Sequence, residues 1–277
     1  GGVCMSVYGE RGYLLENYRL FHLASPLTEE VDFHYHTFHK IVIPLKGALS
    51  YMIEGRHYRL EAFDIALVGR GCVHKPETAE SNERVLIYIS SDFLRDKSTD
   101  ECDLEMCYRV AHDRGTHILR LNSAQRKRVS KLIAELESLS SSPEYGSQYM
   151  RDTILYQLMI ELAGFSLKQQ ECTVDTVFDE KIVQVLKYIN DNITENLSID
   201  HLAERFYISK YHMMRKFKTE TGYTVHAYIS NKRLLLSQQL IEQGYSPTDA
   251  CFRCGFRDYS VYSKAYKKMF GASPAKR

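Results

Sequence analysis

No stretch of this 277-residue chain approaches the roughly 18 apolar residues that a bilayer-spanning helix needs. Its start lacks a basic region followed by an apolar core, so neither a membrane protein nor an exported one is expected. The seven cysteines are odd in number and scattered at spacings that build no small disulfide framework. Reduced thiols in a cytoplasmic protein are the expectation. Net charge is nearly absent as well, at +1, and by itself points to no charged partner. Cut near residue 178, however, the chain separates into an acidic part and a basic one. Residues 179–277 carry 16 Lys and Arg against 10 Asp and Glu, a net of +6, whereas residues 1–178 carry 20 against 25, a net of −5. If nucleic acid is a partner, it meets the C-terminal part.

The length suits two domains, and the pattern places them at 1–165 and 179–277 with a polar linker at 166–178. From about residue 13 to 90, short β-branched and aromatic runs alternate with turn residues, as in Tyr18–Leu23 and Lys40–Ile43. Leu49–Ile53 and His57–Leu60 flank Glu54-Gly55-Arg56 and read as a hairpin, and further strands are expected at Asp64–Val68 and Val85–Ser90. Many short strands without intervening helices argue for an antiparallel barrel or sandwich. The period then lengthens. Ser123 can cap a helix with Val129, Leu132, Ile133, Leu136 and Leu139 on one stripe, and a second helix at about Gln148 to Phe165 carries Ile154, Leu155, Leu158, Met159 and Leu162. Such a helical hairpin covers the barrel, forms a dimer seam, or does both on different faces.

Everything after Asp179 is helical in pattern, beginning with the stripe Ile182, Val185, Leu186, Ile189 and Ile193. A short helix containing Leu202 and Ala203 turns at Tyr207-Ile208, and Ser209 caps a second helix with Met213 and Phe217 inward, which is helix-turn-helix spacing. The arrangement repeats. Pro247 to Phe256 forms a short helix ending at Gly255, and Asp258 caps a helix running through Tyr262, Tyr266 and Phe270. A long helix at about Val225 to Gln243 joins the two units, with Ile229, Leu234, Leu236 and Leu240 as its candidate core residues.

The last 95 or so residues resemble the AraC/XylS DNA-binding domain. The likeness rests on Leu202-Ala203, Ser209, Phe217-Lys218, Gly222, Tyr228-Ile229, Arg233-Leu234, Gly255-Phe256, Asp258, Tyr262, Lys267-Lys268, Gly271 and Ser273-Pro274 in their order and spacing. Departures are Cys251 for the usual alanine, Tyr266 for phenylalanine and Ala250 for a larger aliphatic, small changes of core volume. Carried over by position, the first recognition helix would present Lys210, Tyr211, Met214 and Arg215 to bases, and the second Tyr259, Ser260, Ser263 and Lys264. Lys218 can reach phosphates or base edges, Lys267 is also expected at the DNA, and Lys268 there would act on all sequences alike. Arg215 suits a bidentate contact to guanine, while Tyr211 and Met214 suit thymine methyls.

The N-terminal part resembles the cupin-type sensor barrel of AraC relatives over about residues 30–90, through Gly47, Tyr51, Gly55, Asp64 and His74. His34-Tyr35-His36 with His74 is similar to a cupin metal site. The glutamate that usually follows the second histidine by four residues is here Lys40, whose ammonium cannot ligate and repels a cation. His34, His36, Lys40, Tyr51 and His74 therefore form the candidate effector pocket, suited to an anion, and no metal or cofactor is assigned; a three-histidine metal site and plain structural histidines remain open alternatives. The fold expected is α+β, a cupin-like antiparallel barrel with a helical hairpin followed by an all-α domain of two helix-turn-helix units. The resemblance implies a non-enzymatic transcription activator that acts on double-stranded DNA and RNA polymerase as a homodimer under an unidentified small-molecule effector. A metal-dependent cupin enzyme fused to a DNA-binding domain is the competing reading, which Lys40 disfavours. Cys251-x-x-Cys254 lacks a second ligand pair and reads as two buried thiols, and Cys102 with Cys107 is no stronger sign of redox sensing.

Overall fold

A computed structural model describes residues 14–24, 31–77, 82–140, 144–169 and 179–275. The chain divides into two compact units, one built from residues 1–53 and 57–176 and the other chiefly from 177–277. The described residues of the first hold eight strands: β1 (Tyr18–Leu23), β2 (His39–Lys46), β3 (Leu49–Ile53), β4 (Arg56–Leu60), β5 (Ile65–Val68), β6 (His74–Pro76), β7 (Glu83–Ile89) and β8 (Ile118–Leu119). One sheet has the order β1-β7-β2-β5-β8 and the other β4-β3-β6. The pairs β1–β7, β2–β7, β2–β5, β5–β8 and β3–β6 are antiparallel, Tyr18 facing Ile89 and His39 facing the same residue from the other side.

The larger sheet separates two apolar layers, and its alternation shows why. Val42, Ala66, Val68, Leu86 and Tyr88 point to one side, where they join Leu49, Tyr51, Ile53, Tyr58 and Leu60 of the smaller sheet. Ile41, Ile43, Ile65, Leu67, Val85, Ile87 and Ile89 point to the other, against the helices. Strand β2 is therefore buried from His39 to Pro44 on both faces, which is why it lacks a polar alternation. The helices are α1 (Ser91–Lys97), α2 (Met106–Arg114), α3 (Ser123–Leu139) and α4 (Ser147–Lys168). The stripes of α3 and α4 both enter the helix-side core, with Leu139 half-buried against it, so these faces cover the barrel. A dimer seam would have to use other faces of the pair.

Local chemistry corrects several expectations. Asn122, not Ser123, caps α3: its side chain accepts from the Gln125 N–H while Gln125 reaches back to the Asn122 N–H, a full capping box. Helix α4 runs on to Lys168, so residues 166–168 are helix rather than linker, and residues 170–178 lie outside the described residues. The Arg114 guanidinium donates to the carbonyls of Ser166 at 2.8 Å and Gln169 at 2.7 Å, satisfying the orphan acceptors at the end of α4. The β3–β4 turn has two residues rather than three, Glu54 and Gly55, both at positive φ, the geometry that matches strand twist. Strands β6 and β8 and helices α1 and α2 had no expected counterpart.

The second unit is all helical among its described residues: α5 (Glu180–Asp191), α6 (Ile199–Arg205), α7 (Lys210–Thr221), α8 (Val225–Glu242), α9 (Pro247–Arg253) and α10 (Tyr259–Phe270). Ile182, Val185, Leu186 and Ile189 of α5 are buried as expected, while Ile193 falls beyond the helix and is half-buried. On α8, Ile229 and Leu234 are buried but Leu236 and Leu240 only partly, and Tyr228, Leu235, Ser237 and Gln238 take the interior instead. No described helix is long and apolar enough to cross a membrane.

Candidate nucleic-acid interface and barrel pocket

Two helical frames in the second unit are built on one plan. Ser198 caps α6 by accepting from the His201 N–H, and Ser246 caps α9 by accepting from the Asp249 N–H. Each short helix ends on a residue at positive φ, Tyr207 at 50° and Gly255 at 95°. The next residue then donates back into the helix, Ile208 to the Ala203 carbonyl at 3.0 Å and Phe256 to the Cys251 carbonyl at 3.1 Å. Ser209 and Asp258 cap the second helices, which bury Met213 and Phe217 in one frame and Tyr262 and Tyr266 in the other before ending at Gly222 and Gly271. The second turn is one residue longer, since Ser209 follows Tyr207 by two and Asp258 follows Gly255 by three.

The frames are joined by more than α8. Arg233, on that helix, donates from Nε to the Ile193 carbonyl at 2.8 Å and from Nη2 to the Glu195 carbonyl at 2.6 Å. Gly255 lies against the same segment, where a Cβ would come within 2.7 Å of the Thr194 carbonyl oxygen and 2.9 Å of Arg233 Nε. Only glycine fits there, for both its φ and its closeness.

In the first unit, β-pairing of residue 34 with residue 74 places three imidazoles together. The His34 N–H donates to the His74 carbonyl at 3.0 Å and the His74 N–H returns to His34 at 2.8 Å. His34 and His36, two residues apart, project to one side, and the three ring centroids lie 4.2, 4.9 and 5.1 Å from one another. Burial lowers all three: His34 to about 4, His36 to about 2 and His74 well below the ordinary imidazole value, with the charge of Lys40 adding to each. Lys40 is itself buried, donates to the Tyr51 hydroxyl at 3.0 Å, and is lowered by that burial. A further buried histidine, His39, stands apart from this cluster. The Arg70 N–H donates to its Nδ1 at 3.1 Å, so its Nε2–H is free to donate to Glu105 at 2.7 Å. Burial lowers His39 against the opposing pull of Glu105, and the His39 N–H and charge help hold the Glu105 carboxyl below its ordinary value against burial.

Residues 20–159 match the AraC-like ligand binding domain, and residues 202–276 match a helix-turn-helix domain. The chain belongs to the AraC family. The transcriptional activator RhaS of Escherichia fergusonii is 25% identical over 249 residues, spanning 87% of this chain and 85% of its own. RhaS of Yersinia pestis is 27% identical over 261 residues, spanning 87% and 86%. Among solved structures, the DNA-binding domain of AdpA in complex with a target DNA is 29% identical, spans 33% of this chain and 84% of its own, and has a TM-score of 0.32. This AraC-family chain is a DNA-binding transcription regulator.

Of the residues assigned to DNA, Lys210, Tyr211, Met214, Arg215, Lys218, Ser260, Lys264, Lys267 and Lys268 are exposed and Ser263 is half-buried. Tyr259 is half-buried too, its ring 5.7 Å from that of Tyr262, so much of it packs on the second frame's core. The Lys210 ammonium pairs with Asp200, an exposed contact of little energetic worth that a phosphate can replace. The Arg215 guanidinium lies 5.9 Å from the Tyr211 ring centroid. Tyr207, 89% exposed, and Phe252, 54% exposed, are large apolar surfaces; sequence reasoning read Tyr207 as a turn residue and gave Phe252 no role. It also missed Arg84, a buried cation whose charge reaches Lys40 and Tyr51. Its signal is parity: Arg84 shares the inward side of β7 with Leu86 and Tyr88. Cys251 and Cys254 are buried, and burial raises both thiols, Cys254 to about 12.

Proposed function

We propose that this regulator is a cytoplasmic homodimeric activator that reads DNA with two unlike heads, contacts RNA polymerase and answers to a small anionic effector held in the barrel pocket. The observation that carries the DNA reading is the shared frame of α6–α7 and α9–α10. It aims two exposed helix surfaces of different chemistry, Tyr211, Met214 and Arg215 on one and Ser260, Ser263 and Lys264 on the other. Helix α8, 18 residues long, spans about 27 Å at 1.5 Å per residue. That approaches the roughly 34 Å between successive major-groove faces, so one protomer occupies two adjacent grooves and reads an asymmetric site. Activation is supported by the similarity to RhaS, named a transcriptional activator. The effector reading is supported by the match to a ligand binding domain and by Lys40 and Arg84 buried in its interior. Dimerisation is supported by exposed Tyr149, Met150, Ile160 and Leu167 on α4, outside the face that covers the barrel.

Sequencing the genomic DNA bound by the full chain, then footprinting it, tests the reading. Arg215→Ala should cost about 1–3 kcal/mol on the cognate site and change the ranking of operator variants, whereas Lys268→Ala should weaken all sequences alike. An unchanged ranking with Arg215→Ala, or protection confined to a single groove, would refute the two-headed assignment.

A further inference from the structure

The geometry points to a metal-centred anion receptor inside the N-terminal unit: His34, His36 and His74 hold one divalent transition-metal ion through Nε2, and Lys40 secures a small anion on the ion's open side. This deepens the effector-pocket reading and rests on it. Two of the imidazoles have their tautomer fixed by backbone. His34 Nδ1–H donates to the Asp32 carbonyl at 2.8 Å, and His74 Nδ1–H donates to the Cys72 carbonyl at 3.0 Å. Since a carbonyl only accepts, each Nε2 is left bare, the second-shell pattern that prepares a histidine to ligate. The Nε2 atoms of His36 and His74 are buried and have no hydrogen-bond partner, an arrangement that costs free energy unless something occupies it. One ligand atom from each of the three histidines lies within 4.8 Å of the other two. Metal–nitrogen bonds of about 2.0–2.1 Å require donors roughly 3.3 Å apart in a tetrahedral site, so the rings need close by only an ångström or so.

Three imidazole nitrogens select zinc, nickel, copper or ferrous iron over calcium or magnesium, which prefer oxygen. Among the described residues no further histidine, cysteine or carboxylate joins the cluster, so a bound ion keeps an open coordination position. Lys40 Nζ donates to the Tyr51 hydroxyl at 3.0 Å, the Tyr51 ring stacks at 6.1 Å on that of His74, and Nζ lies 5.9 Å from the Tyr88 ring, which in turn lies 5.9 Å from His36, so the ammonium stands beside the cluster. An ammonium beside a dication is repulsive alone. A carboxylate bridging the two cancels that repulsion, and so ion and anion bind cooperatively.

The test uses the full chain stripped with a chelator and titrated with cobalt(II), followed by visible absorption, and with zinc, followed by calorimetry. One ion per chain is expected. His36→Gln and His74→Gln should each weaken binding by about 100-fold. Acetate should strengthen cobalt binding by about tenfold and shift its spectrum. Lys40→Met should bind the ion more tightly without acetate and lose the acetate effect, a gain that misfolding cannot produce. Absence of stoichiometric uptake at micromolar ion, uptake indifferent to both histidine variants, or an acetate effect that survives Lys40→Met would overturn the inference. Acetate raising the melting temperature with no metal uptake would also overturn it, while leaving the effector-pocket reading standing.

Discussion

Acidification should destabilise the N-terminal unit well above the pH at which its carboxylates are protonated. His34 and His36 have folded values of about 4 and about 2, whereas an unfolded imidazole titrates near 6.5. Both shifts are downward, so the stability they carry is fully present above about pH 6.5 and is lost as the pH falls through and below that value. Between pH 7.5 and 5.0 the unfolded chain takes up nearly one proton at each site while the folded chain takes up almost none. Integrating the linkage relation over that interval gives about 2 kcal/mol per histidine. His34 and His36 together remove about 4 kcal/mol, and His39 and His74, both lowered, act in the same direction. Against a typical domain stability of roughly 5–15 kcal/mol, that is a large fraction. The measurement is urea-dependent hydrogen exchange of peptides spanning β2 and β7, corrected for intrinsic exchange, at pH 7.5 and 5.0 in the presence of chelator. His36→Gln should lose about 2 kcal/mol of the pH dependence. A total change below about 1 kcal/mol, or an unaltered slope in His36→Gln, would refute the argument.

Two other outcomes concern Gly255 and the buried thiols of both units. Gly255→Ala combines positive φ with a Cβ forced onto the Thr194 carbonyl, and should destabilise the helical unit by about 3 kcal/mol in thermal unfolding; a loss under about 1 kcal/mol would mean that the segment yields. Cys107, Cys251 and Cys254, buried and with thiols raised by burial, should resist alkylation at pH 8 in the native chain and react fully in urea when followed by peptide mapping, and rapid native labelling would contradict their burial.

Strands with strong alternation and the two helical frames were legible because their signals are local. Ser209 and Asp258 do cap α7 and α10, and the apolar stripes of α3 and α4 are where periodicity put them. What escaped depends on partners far along the chain. Strand β6 has three residues and exists because β3 pairs with it. Leu236 and Leu240 yielded the interior of α8 to Leu235, Ser237 and Gln238 because that helix packs against α9 and α10 and has no single buried stripe. Asn122 and Ser123 are both good caps, and the reach of Gln125 decides between them. The His34–His74 pairing and the inward parity of Arg84 needed a register that no single segment carries. Charged residues in strands read as solvent-facing by default, which is how Arg84 went unnoticed.

The clasp formed by Arg233, Gly255 and the segment 193–195 bears on operator architecture. A guanidinium holding two carbonyls at 2.8 and 2.6 Å, beside a glycine with no room for a methyl group, leaves the two heads little freedom to swivel about α8. Successive base pairs rotate the groove by about 34–36°, so inserting one pair between the half-sites turns the second out of register by that angle. A jointed reader would absorb the insertion; under the proposed two-headed reading this one should behave as a ruler. Promoters under its control should therefore vary in base identity far more readily than in the spacing between the two half-sites.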